Sequence, residues 1–202
     1  MGRGDAGEPK GRDEPDARED RYDGADPSAA ASDGAVGPIV SSAHLVSGQS
    51  PELNEFEFGL IVASNAFHRW VVRCMTAAGL EDLAALDVLV LHTVNHRDRE
   101  KRLTDICFVL NIEDQHLITY SLKKLSRLNL VARRRCGKET FYTTTDAGRA
   151  ACQRYRDVRE ACLTETLTAL GLADNRDIGD SARLLRALSG LYDQAARAAT
   201  SV

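Results

Sequence analysis

Between Asp114 and Arg127 the chain reads DQHLITYSLKKLSR, and its polar residues fall into two chemical groups. Gln115, His116, Thr119 and Tyr120 offer an amide, an imidazole and two hydroxyls, groups that hydrogen-bond the edges of bases. Lys123, Lys124 and Arg127 follow, and their cations suit phosphate oxygens. A helix that reads DNA carries this gradient, with base-reading groups in its first turns and positive charge toward its end. A second cationic run, Arg133, Arg134, Arg135 and Lys138, lies just downstream.

These side chains need elements to hold them. Ile118, Leu122 and Leu125, with Leu128 or Leu117, recur at three- and four-residue spacing, which predicts one buried helix face. Asp114 suits the start of that helix, because a short carboxylate accepts free N–H groups at its positive end. Upstream, Leu103, Ile106, Cys107 and Leu110 form a short apolar face, with Thr104 or Asp105 where a helix would start. In the turn between the two helices, Asn111 tolerates positive φ, and Ile112 plugs the angle. Asn129 suits a left-handed helix exit. Leu130-Val131-Ala132 and Phe141-Tyr142-Thr143-Thr144 are β-prone around a tip at Gly137, so a cationic hairpin is expected. Such a hairpin fits the narrow, negative minor groove.

The run from Leu103 to Gly148 resembles the winged helix-turn-helix of MarR-type bacterial regulators. The matching parts are LTDICFVLNIEDQHLITYSLKKLSRLNLVARR and the closing Thr145-Asp146-Ala147-Gly148. They correspond to the family's helix, turn, recognition helix, leucine-x-x-x-glycine-leucine-valine exit and wing, then its threonine-x-x-glycine helix start. Asn129 stands where the family usually has Gly. The familiar Asp-x-Arg of the wing is missing and this wing is short, so its contact falls to Arg133, Arg134, Arg135 or Lys138, or is absent. The resemblance extends more weakly over roughly 50–200 by helix order and length. It implies a homodimer and repression relieved by a small, often aromatic, effector bound between dimer helices and DNA-binding lobe.

The formal net charge of the 202 residues is −4, but it is unevenly spread. Residues 97–138 hold 11 Lys and Arg against 5 Asp and Glu, a local +6. Local potential steers DNA binding, so an acidic chain is no objection. Residues 1–48 are rich in Gly, Asp, Arg, Pro and Ala. They carry too little apolar surface to offset ordering entropy, so a disordered acidic tail is expected. Its use is either solubilising or competing for the basic face. The remainder, 49–202, is expected to form one winged-helix domain, mainly α with a small β-wing, its DNA-binding lobe at about 83–145. Long helices are expected at about 54–78, ending at Gly79, and over 146–199, broken at Gly171. Phe58, Ile61, Val62 and Phe67 in the first, and Ile178, Leu185 and Leu191 in the last, leave more apolar face than one small lobe covers. Intertwined terminal helices of a dimer are the expected solution.

Other chemistries find little support. Five cysteines (Cys74, Cys107, Cys136, Cys152 and Cys162) form no CxxC pair, which argues against zinc ligation and a disulfide framework. Cys136, between Arg135 and Gly137, has cations that favour its thiolate, so a redox response at the wing is one alternative. His92 and His96 are four apart on one predicted helix, but lack the Glu of HExxH and a third ligand, so they read as a polar pair. No GxSxG, phosphate-cradling Gly loop or carboxylate pair appears, so no enzyme activity, cofactor or metal is expected. No apolar run of membrane length and no signal-like start occurs, so a cytoplasmic protein is expected. The leading expectation is a homodimeric regulator on a palindromic operator. The rival is a winged-helix protein-interaction module without DNA binding.

Overall fold

The structure is a computed structural model that describes residues 43–45, 48–170 and 175–202. The helix break at Gly171 and the expected acidic tail, apart from residue 48 and a 3₁₀ turn at Ala43–Leu45, lie outside the described residues. Helix α1 spans Pro51–Ala77 and α2 spans Ala85–Asn95, followed by a short 3₁₀ turn at His96–Asp98. Strand β1 (Lys101–Arg102) leads into α3 (Leu103–Leu110) and α4 (Gln115–Arg127). Strands β2 (Val131–Cys136) and β3 (Glu139–Thr144) form the wing. Helix α5 (Asp146–Arg159) runs through a π segment, Glu160–Thr164, into α6 (Glu165–Leu170), and α7 spans Asn175–Ala199.

The local signals act as expected. Asp114 caps α4 by accepting the His116 N–H at 2.8 Å. Asn111 and Asn129 end α3 and the exit from α4 with φ of 51° and 56°. Only two residues, Gly137 and Lys138, separate the paired ends Cys136 and Glu139, and Gly137 supplies a φ of 60° for this tight turn.

Three details differ from the sequence reading. Helix α3 begins at Leu103 rather than after Thr104; Asp105 instead accepts the Arg102 N–H at 2.9 Å from within the first turn. The charged run 97–102 before α3, for which no strand was expected, contains β1, whose Lys101 pairs with Tyr142 and Arg102 with Phe141 to give the sheet order β1-β3-β2. Leu117 and Leu128 are half exposed, because the buried stripe of α4 is the narrower set Ile118, Leu122 and Leu125.

Helix α2 is the centre of the core, packed against α1, α3, α4, α5 and β3. Val88, Val90, Leu91 and Val94 are fully buried there, more of its circumference than a one-faced amphipathic helix would bury. Of α1, its C-terminal part joins this core through Val71, Cys74 and Met75. Ile61, Val62 and Phe67 stay exposed, as do Leu184, Leu185 and Leu191 of α7.

The wing closes back on the helices at one backbone contact. The Leu130 carbonyl accepts the Thr145 N–H at 3.1 Å, and Thr145 Oγ1 donates to the Asn129 carbonyl at 2.6 Å while accepting the Gly148 N–H at 3.0 Å. A Cβ on Gly148 would lie 2.1 Å from the Leu130 oxygen. The threonine-x-x-glycine spacing is therefore a cap plus a close approach: Thr145 starts α5, and Gly148 lets α5 touch the strand. Gly148→Ala should cost about 1–3 kcal/mol, the usual penalty of forced overpacking, measured by urea unfolding. An unchanged midpoint would show that the junction relaxes freely.

Candidate nucleic-acid interface

Helix α4 and strand β2 flank a groove of about 620 Å³ lined by Thr119, Tyr120, Leu122, Lys123, Ser126, Arg127, Arg133 and Tyr142. Five of the residues singled out by sequence, Thr119, Tyr120, Lys123, Arg127 and Arg133, therefore share one concave surface. Gln115 and His116 are exposed in the first turn of the same helix. Arg133 and Arg135 alternate with Arg134 along β2, so a strand's two-residue period puts them on the opposite face from it. Lys138 sits at the hairpin turn. Tyr142, opposite Arg133 in the sheet register, is a groove residue the sequence reading did not single out.

Two of the expected phosphate-binding cations are engaged elsewhere. Lys124 Nζ lies 2.8 Å from Asp87 Oδ2, and its side chain is 23% exposed. Asp87, 3% exposed, also accepts the Ser121 hydroxyl at 2.6 Å and the Ala84 N–H at 2.9 Å. Burial pushes its carboxyl pKa up, but bonds from Lys124, Ser121 and Ala84 outweigh that and leave it below the ordinary value. Arg134 binds Glu100 through both its Nε, at 2.7 Å, and a terminal nitrogen, and stacks 5.3 Å above the Phe141 ring. That pairing holds the Glu100 carboxyl below its usual range. Lys101, counted in the local +6, is buried and donates to the His96 and Arg99 carbonyls. Among the described residues Lys123, Arg127, Arg133, Arg135 and Lys138 have no carboxylate partner, and Lys123, Arg127 and Arg133 line the groove.

A second cleft, of about 650 Å³, lies between α2 and α5 and is lined by His92, Asn95, Arg149, Cys152, Tyr155, Arg156 and Arg159 among others. His92 meets the Tyr155 ring edge-on at 4.5 Å, and its Nε2 is buried without a partner among the described residues. Burial alone lowers the His92 pKa, favouring the neutral ring. Burial also pushes the Cys152 thiol to about 11 and the Tyr155 hydroxyl to about 12, so neither is an activated nucleophile. Among the described residues no three His, Cys, Asp or Glu side chains cluster to hold a metal. Cys136 is exposed near the wing turn.

Residues 83–148 match the family described as winged helix DNA-binding domain. A cysteine-to-serine mutant of MarR from E. coli, complexed with operator DNA, is similar in structure at a TM-score of 0.56 with 16% identity, over 70% of this chain and 99% of that one. A MarR-family transcriptional regulator from Rhodococcus sp. RHA1 is similar at 0.53 with 13% identity, over 68% and 94%. NadR in complex with 4-hydroxyphenylacetate is similar at 0.51 with 16% identity, over 66% and 92%. The chain has no match among curated protein sequences. The fold is thus the winged helix-turn-helix of MarR-type regulators, mainly α with a small β-wing.

The half-buried imidazole makes a pH prediction. Unfolded His92 takes up a proton below about pH 6.5, whereas the folded ring resists it, so this group removes stability as pH falls. His92→Phe keeps the ring contact and removes the titration. Its stability should fall less than that of the unsubstituted chain between pH 7 and 5, by up to about 1.4 kcal/mol per unit. Parallel curves from urea unfolding would contradict this.

Proposed function

We propose that the protein is a homodimeric, sequence-specific DNA-binding transcriptional regulator, acting as a repressor released by a small molecule. One observation carries the reading: the unpaired cations Lys123, Arg127 and Arg133 converge on one groove with the hydrogen-bonding face of α4. Gln115, His116, Thr119 and Tyr120 meet base edges, while Lys123, Arg127, Arg133, Arg135 and Lys138 meet the backbone. That the similar MarR structure is complexed with operator DNA supports this use of the fold. Winged helices that serve only as protein-interaction modules have no need of cations left unpaired along the reading face, which weighs against the rival reading.

The exposed apolar residues of α1 and α7 support dimerisation, since Phe67, Ile61 and Leu191 on single helices would otherwise remain in water. Two copies related by a twofold axis suit a palindrome with half-sites about 34 Å apart. The cleft around His92 and Arg156 supports effector binding. It pairs an aromatic wall with guanidinium groups, a combination that fits an aromatic acid of the kind bound to NadR.

Binding to a duplex selected by the protein from a random-sequence pool should weaken steeply with salt. Arg133→Ala and Arg127→Ala should each reduce the salt slope by about 1.8, one phosphate contact being lost from each protomer. Gln115→Ala should cost about 1–3 kcal/mol on the selected duplex and little on a scrambled one. Indistinguishable binding to both duplexes by the unsubstituted chain would remove the regulator reading. Phe67→Asp with Leu191→Asp should convert a dimer to monomers in sedimentation velocity; an unchanged dimer would place the interface elsewhere.

A further inference from the structure

The apolar contacts of α4 choose its buried face but resist small rotations about its axis only weakly. Ile118, Leu122 and Leu125 are aliphatic, and aliphatic packing has little directional preference. On a helix each residue advances about 100°, so Ser121 and Lys124 share one flank of that stripe. Lys123 lies about 100° further round, on the groove side with Tyr120 and Arg127. Both flank residues end on the same carboxylate: Ser121 on Asp87 Oδ1 at 2.6 Å and Lys124 on Oδ2 at 2.8 Å. Asp87 is itself anchored by the Ala84 N–H at the start of α2, the central helix of the core. A roll of α4 by a whole residue, bringing Tyr120 and Lys123 to Asp87, would carry Lys124 into the core position of Leu125, so only smaller rolls compete, and these stretch the bonds from Ser121 and Lys124. A roll that broke the contact without replacing it would leave a buried carboxylate unpaired, which is strongly unfavourable.

We propose that Asp87 is the positioning residue of the reading helix: through Ser121 and Lys124 it holds the fine rotation of α4, and so the aim of the side chains that face the bases. This rests on the DNA-binding reading above. It assigns two adjacent lysines opposite roles. Lys123 attracts phosphates on any sequence, whereas Lys124 touches no DNA and acts on sequence preference.

The test uses the full chain, the selected duplex and its scrambled counterpart, each over a series of salt concentrations. Lys123→Ala should lower the salt slope by about 1.8, two contacts per dimer, on both duplexes and leave their affinity ratio intact. Lys124→Ala should leave the slope unchanged and reduce the ratio on the order of tenfold, with Lys124→Arg recovering most of it. Asp87→Asn should reduce the ratio in the same way. If Lys124→Ala instead lowers the slope as Lys123→Ala does, with the ratio intact, Lys124 is a phosphate contact and the proposal falls. Amide hydrogen exchange supplies a readout free of DNA. Ser121→Ala and Lys124→Ala should speed exchange in α4 relative to α5, and unaltered α4 protection would equally overturn the proposal. Absence of any preference by the unsubstituted chain would defeat the regulator reading alone, since exchange still decides whether Asp87 holds α4. Should Asp87→Asn fail to fold, the Lys124 and Ser121 variants carry both readouts.

Discussion

One carbonyl oxygen connects the parts that would read DNA to the helix that carries them. Leu130 leaves α4, enters β2, and accepts the N–H of Thr145, the cap of α5. The two backbones come together there because Gly148 has no Cβ to intervene. A buried carbonyl needs a donor, and a helix start needs an acceptor for its free N–H groups. This junction meets both needs at once. It fixes the wing's base against α5, while α5 is tied to α1 through Arg154 Nε on the Ala78 carbonyl at 2.7 Å. Reading head, wing and the helix leading away thus share one frame.

Charge is distributed on that frame by burial. A carboxylate as enclosed as Asp87 must be matched by hydrogen bonds and a cation, or its desolvation would oppose folding. Lys124 meets that demand and leaves the DNA-facing set. At the wing Glu100 takes Arg134, and the Phe141 ring beneath the guanidinium stiffens the arrangement. The exposed pair contributes little stability by itself. Its consequence is geometric, since holding Arg134 on one face of β2 leaves Arg133 and Arg135 on the other. Local charge density therefore overstates the number of cations available to phosphate, and structure sorts them into scaffold and surface.

The same division applies to apolar residues. Val71, Cys74 and Met75 of α1 complete the core around α2, while Ile61, Val62 and Phe67 on the same helix do not. One helix serving two hydrophobic surfaces explains why its apolar residues lie on more than one side. It also makes the proposed dimer an extension of the fold, since covering those residues requires a second surface rather than a change in the lobe.

Much of the lobe was legible because its signals are local. Asp114 caps, Asn111 and Asn129 turn and Gly137 reverses the chain for reasons contained within a few residues, so the order helix, turn, helix, hairpin follows from the sequence itself. The membership of the groove was legible for Thr119, Tyr120, Lys123, Arg127 and Arg133 on helical and strand periodicity. Periodicity sets Lys123 apart from Lys124 and Arg134 apart from its neighbours, but it could not say which of them a carboxylate would occupy. Nor did it mark Lys101 as buried, Leu117 and Leu128 as exposed, or Tyr142 as a groove residue. The two paired cations depend on partners far along the chain: Asp87 is 37 residues from Lys124, and Glu100 is 34 from Arg134. The sequence alone determined the lobe's elements apart from β1, and the kind of surface they carry. Only the tertiary structure decided which charges that surface keeps, because a cation's role depends on whether folding brings a carboxylate within hydrogen-bonding distance of it.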